Sequence, residues 1–212
     1  MVPLTSDFFN NRPTDQIAQK LLGVTLLKHT SVGDMGGVIV ETEAYMGDQD
    51  TTAHAFGHRK THANAALFGD PGTLYFYTMR GLILMNLICQ PEGTPQGVLL
   101  RAVEPTIGVD LMQEYRHKQG IELTNGPAKM TAALGVNDLQ FNNVALTQSP
   151  FALFRDDRYR PEKIAQSARI GVSKGGWEDR ELRFYVAGNP YVSGIRKRDM
   201  NWDTRGWRLQ TE

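Results

Sequence analysis

What this chain lacks narrows it first. Its 212 residues hold one cysteine, Cys89, so no internal disulfide can form and an oxidising compartment is not indicated. Cys89 follows Leu87 and Ile88 in an apolar run, where a buried thiol is expected rather than a nucleophile. No apolar run is long enough for a membrane helix or a signal peptide, so a cytoplasmic protein with no membrane partner is expected. Neither G-x-x-x-x-G-K-[ST] nor G-x-G-x-x-G occurs, so no nucleotide cofactor is implied. Net charge is missing too: 23 Lys and Arg balance 23 Asp and Glu, which gives no whole-chain attraction to nucleic acid. The balance is uneven along the chain. Residues 1–150 carry 10 basic against 14 acidic side chains and residues 151–212 carry 13 against 9, a run from net −4 to net +4 that leaves room for a local basic face.

What is present is an ordinary folding composition, 41% hydrophobic and 22% charged, long enough to bury a sizeable core as one domain spanning 1–212. Thr14 can cap a helix carrying Ile17, Leu21 and Leu22, with Gly23 at its C-terminal end. Val24 to Lys28 and the run from Gly36 then read as an antiparallel hairpin turning at Gly33-Asp34. Two apolar and aromatic runs, Leu74 to Met79 and Leu82 to Ile88, are joined by Arg80-Gly81 and predict a second hairpin with Arg80 at its tip. Val98 to Val103 adds a strand. Helices are expected from Asp110 to Tyr115 and from Pro127 to Leu134, and later strands at Phe151 to Arg155, Ile164 to Val172 and Leu182 to Val186. Because strands come as hairpins, the fold class is α+β with a curved antiparallel sheet, flanking helices and a protruding hairpin.

Chemistry concentrates between Gly36 and His54. A strand built on Val38, Ile39 and Val40 ends in Glu41, Glu43 and Tyr45, which share one face, while Thr42 and Ala44 face the other way. Two carboxylates and a tyrosine at the end of a buried strand are either a structural cluster or a site. Tyr75 and Tyr77 favour a site, since flat faces near a carboxylate suit a planar ligand, although tyrosines also fill plain cores. Arg101, inside an apolar strand, needs a partner; Glu43 is the natural one, and a simple strand-to-strand ion pair explains it equally well. His54, His58 and His62 fall four apart, a spacing that zinc ligands use on helices. Gly57 interrupts such a helix and no H-E-x-x-H is present, so a solvated loop from Gly57 to Asn64 is favoured, with a metal hydrolase using Asp48 or Asp50 as the rival.

Several ordered motifs carry a resemblance. Val40-Glu41-Thr42-Glu43-Ala44-Tyr45 with His54, Pro71 to Tyr77, Met85-Asn86, Leu99 to Pro105, Asn125 to Lys129, Arg169 to Val172 and Leu182 to Pro190 resemble the alkyladenine (3-methyladenine) DNA glycosylase family. That resemblance covers about Phe8 to Ser193. It implies a monofunctional, cofactor-free hydrolase that acts as a monomer on double-stranded DNA, flips a damaged purine out and cuts its N-glycosidic bond with water. By similarity Glu43 is the general base and Arg101 helps place the water, whose site the carbonyl of Ile170 completes. Tyr45 stacks on one face of the base, with Tyr77 and His54 on the other. Asn86 crowds the exocyclic amine of normal guanine, and Glu41 becomes a structural neighbour. Arg80, with Gly81, occupies the hairpin tip where the family places a tyrosine wedge, and Lys129 with Arg196-Lys197-Arg198 supplies phosphate contacts. A module that binds damage without cutting is the second rival.

Overall fold

The computed structural model describes residues 1–9 and 11–209. Nine strands form one antiparallel sheet: β1 (Val2–Pro3), β2 (Val24–Lys28), β3 (Met35–Tyr45), β4 (Leu74–Met79), β5 (Leu82–Ile88), β6 (Gly97–Ile107), β7 (Phe151–Arg155), β8 (Ile164–Ser167) and β9 (Arg183–Val186). The main path runs β1-β7-β2-β3-β6-β5-β4, and β9 joins β3 to β8. Three α-helices, α1 (Thr14–Lys20), α2 (Val109–Arg116) and α3 (Pro127–Ala133), complete an α+β fold.

β3 is the hub. β6 pairs with it from Gly36 to Tyr45, so β2 (at Met35 to Val38) and β9 (at Glu41 to Glu43) share its opposite edge. Val38 and Val40 are fully buried, and Thr42 on the same side of the chemistry-bearing residues' neighbours donates its hydroxyl to the carbonyl of Ala18 in α1 at 2.9 Å. Each fully buried aliphatic side chain of this core, such as Ile17, Leu26 or Leu100, contributes about 1.5–3 kcal/mol. Gly36 is required by packing: a Cβ there would lie 2.3 Å from the carbonyl oxygen of Leu26 on β2.

The pairing of β3 with β6 slips around Glu41. Ile39 faces Val103, Glu41 faces Ala102 and Thr42 faces Leu100, so neither Val40 nor Arg101 has a partner across the ladder. Bulges of this kind re-aim side chains, and here the result brings Arg101 onto both glutamates.

Both expected hairpins form. Met79 pairs with Leu82 across a two-residue turn in which Arg80 has φ 52° and Gly81 has φ 78°, the left-handed pair that a twisted hairpin demands. Three expectations need correction. Thr14 does not cap α1, since Pro13 holds the cap position and the Thr14 hydroxyl donates to Gln96 instead. The strand expected from Ile164 to Val172 ends at Ser167, because Arg169 turns inward to Asp50. The loop expected from Gly57 to Asn64 gives way to a 3-10 helix, His62–Phe68, whose first turn is closed by a reciprocal cap between Thr61 and Asn64.

Candidate active site

Two residues of β3 organise the polar interior. Glu41 is wholly buried and fully bonded: Oε1 accepts from Arg101 Nε at 2.9 Å, Arg183 Nε at 2.6 Å and Ser193 Oγ at 2.7 Å, and Oε2 accepts from the Ser193 amide at 2.8 Å. Arg183 in turn donates to the Ser193 carbonyl and to Ser167 Oγ. This half of the cluster ties β3, β6, β9 and the chain near Ser193 together, the structural role expected for Glu41.

Glu43, equally buried, is held differently. Oε1 accepts from the Ile170 amide at 2.8 Å and lies 3.1 Å from Arg101 Nη1, while Oε2 accepts from the Tyr45 hydroxyl at 3.0 Å. Burial pushes its pKa above the ordinary carboxylate value, and Arg101 and the Ile170 amide only partly offset that rise. Arg101 feels the opposite balance: burial disfavours its charge, but Glu43 and Glu41 together outweigh the burial and raise its pKa. Ile170 therefore reaches Glu43 through its N–H, whereas the resemblance points to its carbonyl; its side chain is exposed.

Beside this pair lies a cavity of about 260 Å³ lined by Tyr45, His54, Tyr75, Tyr77, Asn86 and Gly171 among others. Glu43 does not line it, but Tyr45, whose hydroxyl bonds Glu43, does. His54 packs edge-on against Tyr77 with ring centroids 4.6 Å apart, and Tyr77 stacks on Tyr75 at 5.5 Å. The His54 imidazole shares a 2.8 Å hydrogen bond through Nδ1 with the Tyr75 hydroxyl. Although His54 as a residue is exposed, the packing around its ring lowers its pKa and favours the neutral form. Burial pushes the Tyr77 phenol up to about 12, so the wall carries no phenolate at neutral pH. Asn86 is buried on β5 and donates to the Tyr75 carbonyl at 3.2 Å, which fixes its amide at the cavity edge.

The DNA-contacting candidates are spread out. Arg80 and Gly81 stand exposed at the hairpin tip, flanked by Met79 and Leu82, which are 44% and 55% exposed. Lys129 is tied to Glu122 at 2.7 Å and to Asn125 at 2.8 Å, so its charge is locally balanced. In the basic run, Arg196 and Arg198 both face Asp199.

The three histidines are not brought together. His54 bonds Tyr75, His58 bonds Asp48 at 3.0 Å, and Asp50 is taken up by Arg169. Among the described residues no three His, Cys, Asp or Glu side chains converge on a point that would hold a metal ion, which leaves the metal-hydrolase alternative without a ligand set.

Sequence reasoning passed over Arg169, Arg183 and Ser193. Arg169 and Arg183 each sit in an apolar run, the same signal that singled out Arg101, and each proves to be buried against a carboxylate.

Comparison with known proteins gives the family. Residues 7–190 match the family described as methylpurine-DNA glycosylase. A protein of Latilactobacillus sakei is 45% identical over 209 residues, covering 97% of each chain, and one of Enterococcus faecalis is 44% identical over 206 residues, covering 96% of this chain and 90% of the relative. One from Staphylococcus carnosus is 44% identical over 194 residues, covering 91% of this chain and 94% of its own. All three are provisionally named 3-methyladenine DNA glycosylases.

Proposed function

The chain belongs to the methylpurine-DNA glycosylase family of DNA repair enzymes, and from that premise we propose that it excises alkylated or deaminated purines from double-stranded DNA by flipping the base into the Tyr45–His54–Tyr77 cavity and hydrolysing its glycosidic bond at Glu43. The observation that carries this reading is a fully buried carboxylate bonded to one wall of an aromatic cavity.

Glu43 takes a proton from a water as its oxygen attacks the sugar C1′; the C1′–N bond breaks and its electron pair leaves with the base. Positive charge grows on the sugar at that moment, and a carboxylate held in a low-dielectric site stabilises it. Arg101 keeps Glu43 oriented and opposes the effect of burial, favouring the charged form that a general base needs. No metal or organic cofactor takes part in this scheme.

Extruding a base costs a few kcal/mol, and each aromatic face returns about 1–3 kcal/mol through stacking. Tyr45 against Tyr77 and His54 supplies two such faces, and π-faces hold alkylated purines more tightly where these carry positive charge. At 260 Å³ the cavity is small beside the ~300–1,000 Å³ of typical ligand pockets, a size suited to one flat ring system. Asn86 excludes normal guanine by crowding its exocyclic amine. Arg80 fills the gap left in the duplex, its guanidinium suited to the narrow, electronegative minor groove, with exposed Met79 and Leu82 as apolar shoulders. The enzyme works as a monomer on this reading, since one chain carries every group named, and its DNA substrate places it in the cytoplasm.

The test is release of bases from methylated duplex DNA and from duplexes carrying hypoxanthine or ethenoadenine, followed by alkaline cleavage at abasic sites. Tight lesion binding with no abasic sites would identify a damage-binding module instead. Arg80→Ala is expected to weaken lesion binding about tenfold and to leave pocket chemistry intact, as the loss of one inserted side chain worth a few kcal/mol at most; unchanged affinity would remove Arg80 from the wedge.

A further inference from the structure

Arg169 and Asp50 form an ion pair in which both side chains have no exposure, joining segments 119 residues apart in sequence. The fork is bidentate: Nη1 meets Oδ2 at 2.5 Å and Nη2 meets Oδ1 at 2.9 Å, and Nη1 also donates to the Ala44 carbonyl at 3.0 Å. Asp50 is fixed from its other side by the amides of Met46 and Thr52 and by the Thr52 hydroxyl. Two features tie this pair to the chemistry. The Arg169 guanidinium lies over the Tyr45 ring at 4.6 Å, and the next residue, Ile170, donates its amide to Glu43. A third feature is that Arg169 Nε is buried with no protein hydrogen-bond partner, so the guanidinium is aimed at Asp50, Ala44 and Tyr45 rather than arranged to satisfy every donor.

We propose that Asp50 and Arg169 are positioning residues for base excision: their pair holds the 168–172 segment so that the Ile170 amide stays on Glu43 and Tyr45 stays upright beside it. The inference rests on Glu43 being the general base. The groups facing Glu43 are Arg101 from β6, Glu41 and Tyr45 from β3, Tyr77 from β4 and the Ile170 amide from this segment. Of these, Arg101, the Ile170 amide and the Tyr45 hydroxyl favour its charged form, and the first two come from outside Glu43's own strand. Arg101 is shared with Glu41, so the amide is the donor from another strand or segment that Glu43 does not share. A segment that drifted by an ångström would remove it, and the carboxylate would hold its proton to higher pH.

The measurement is single-turnover base release from methylated duplex DNA as a function of pH, for Asp50→Asn, Arg169→Lys and, as a control, Glu43→Gln. The two clamp variants are expected to move the acid limb upward by about one pH unit, which is about a tenfold loss on the acid side that closes as pH rises, with affinity for a duplex carrying a stable abasic-site analogue unchanged. A merely structural pair would lower the rate by the same factor at every pH; parallel profiles beside an inactive Glu43→Gln would overturn the clamp and leave the base assignment intact. If Glu43→Gln itself releases bases at the wild-type rate, the base assignment fails and takes the clamp with it. Should both clamp variants fail to fold, Ile170→Pro deletes the amide donor at an exposed position, and an unshifted acid limb in that variant overturns the proposal.

Discussion

Glu41 and Glu43 stand two residues apart on one strand, both without exposure and both bonded to Arg101, yet their remaining surroundings differ. Glu41 accepts from two guanidinium groups, a hydroxyl and an amide, all within 2.9 Å. Glu43 has one guanidinium nitrogen at 3.1 Å, one amide and one phenol, and that phenol lines an aromatic cavity. Burial and pairing alone do not mark a catalytic carboxylate. The mark is incomplete satisfaction next to a place where a ligand fits, because an acid saturated with donors is a poor base.

The largest test of this contrast is Glu43→Gln. Removing the proposed base is expected to slow base release about 10²–10⁴-fold with lesion binding retained. The same substitution should not lower the melting temperature at neutral pH. Glu43's folded pKa is raised, so any stability linked to its protonation is present below the unfolded value and lost as pH rises through the folded value. Burial disfavours the charge on Glu43, which a neutral amide relieves, while Arg101 keeps Glu41 as its anionic partner. Activity responds in the other sense: base release by the wild type should fall on acidification at a pH above the ordinary glutamate value of about 4.3. A melting temperature that drops as far as the activity does would place Glu43 with Glu41 as a structural acid.

Glu41→Ala should reverse the pattern. It strips both Arg101 and Arg183 of a buried partner, and breaking such a pair costs about 3–5 kcal/mol, read as a lower denaturation midpoint. Activity per folded molecule should change far less. If Glu41→Ala melts like the wild type, the cluster is not the structural tie described above.

How much of this was legible beforehand follows from the range of the interactions. Period-two alternation put Glu41, Glu43 and Tyr45 on one face, and Arg80-Gly81 between two apolar runs predicted its turn, because both signals are local. The opposite sides of Arg101 were not legible, since they depend on a slip between β3 and β6 that no short window contains. Ile164 to Val172 has the composition of one strand, and only a carboxylate 119 positions away explains why it leaves the sheet at Arg169. Histidines at spacing four would share a face only on a helix, which Gly57 argued against, and Gly57 and His58 both take positive φ while His54 and His58 turn to separate partners. Local pattern gave the row of acids; distant pairing decided which acid was left available.

Arg101→Lys sharpens the contrast with the smallest expected effect. The guanidinium serves both acids at once, Nε on Glu41 and Nη1 on Glu43, a division that its planar fork allows and a single ammonium does not. A lysine keeps the charge and must choose. Glu41 keeps Arg183 and both Ser193 donors whichever way the lysine turns, so stability should fall by only about 1 kcal/mol, the net worth of one hydrogen bond. Glu43 has no second cation, and it loses orientation if the ammonium settles on Glu41. Base release should then drop about tenfold, as expected for a displaced but still present base, with the acid limb moved up because a counter-charge has receded. Equal loss of stability and rate would mean that the two carboxylates share Arg101 evenly, and the distinction between them would rest on the cavity alone.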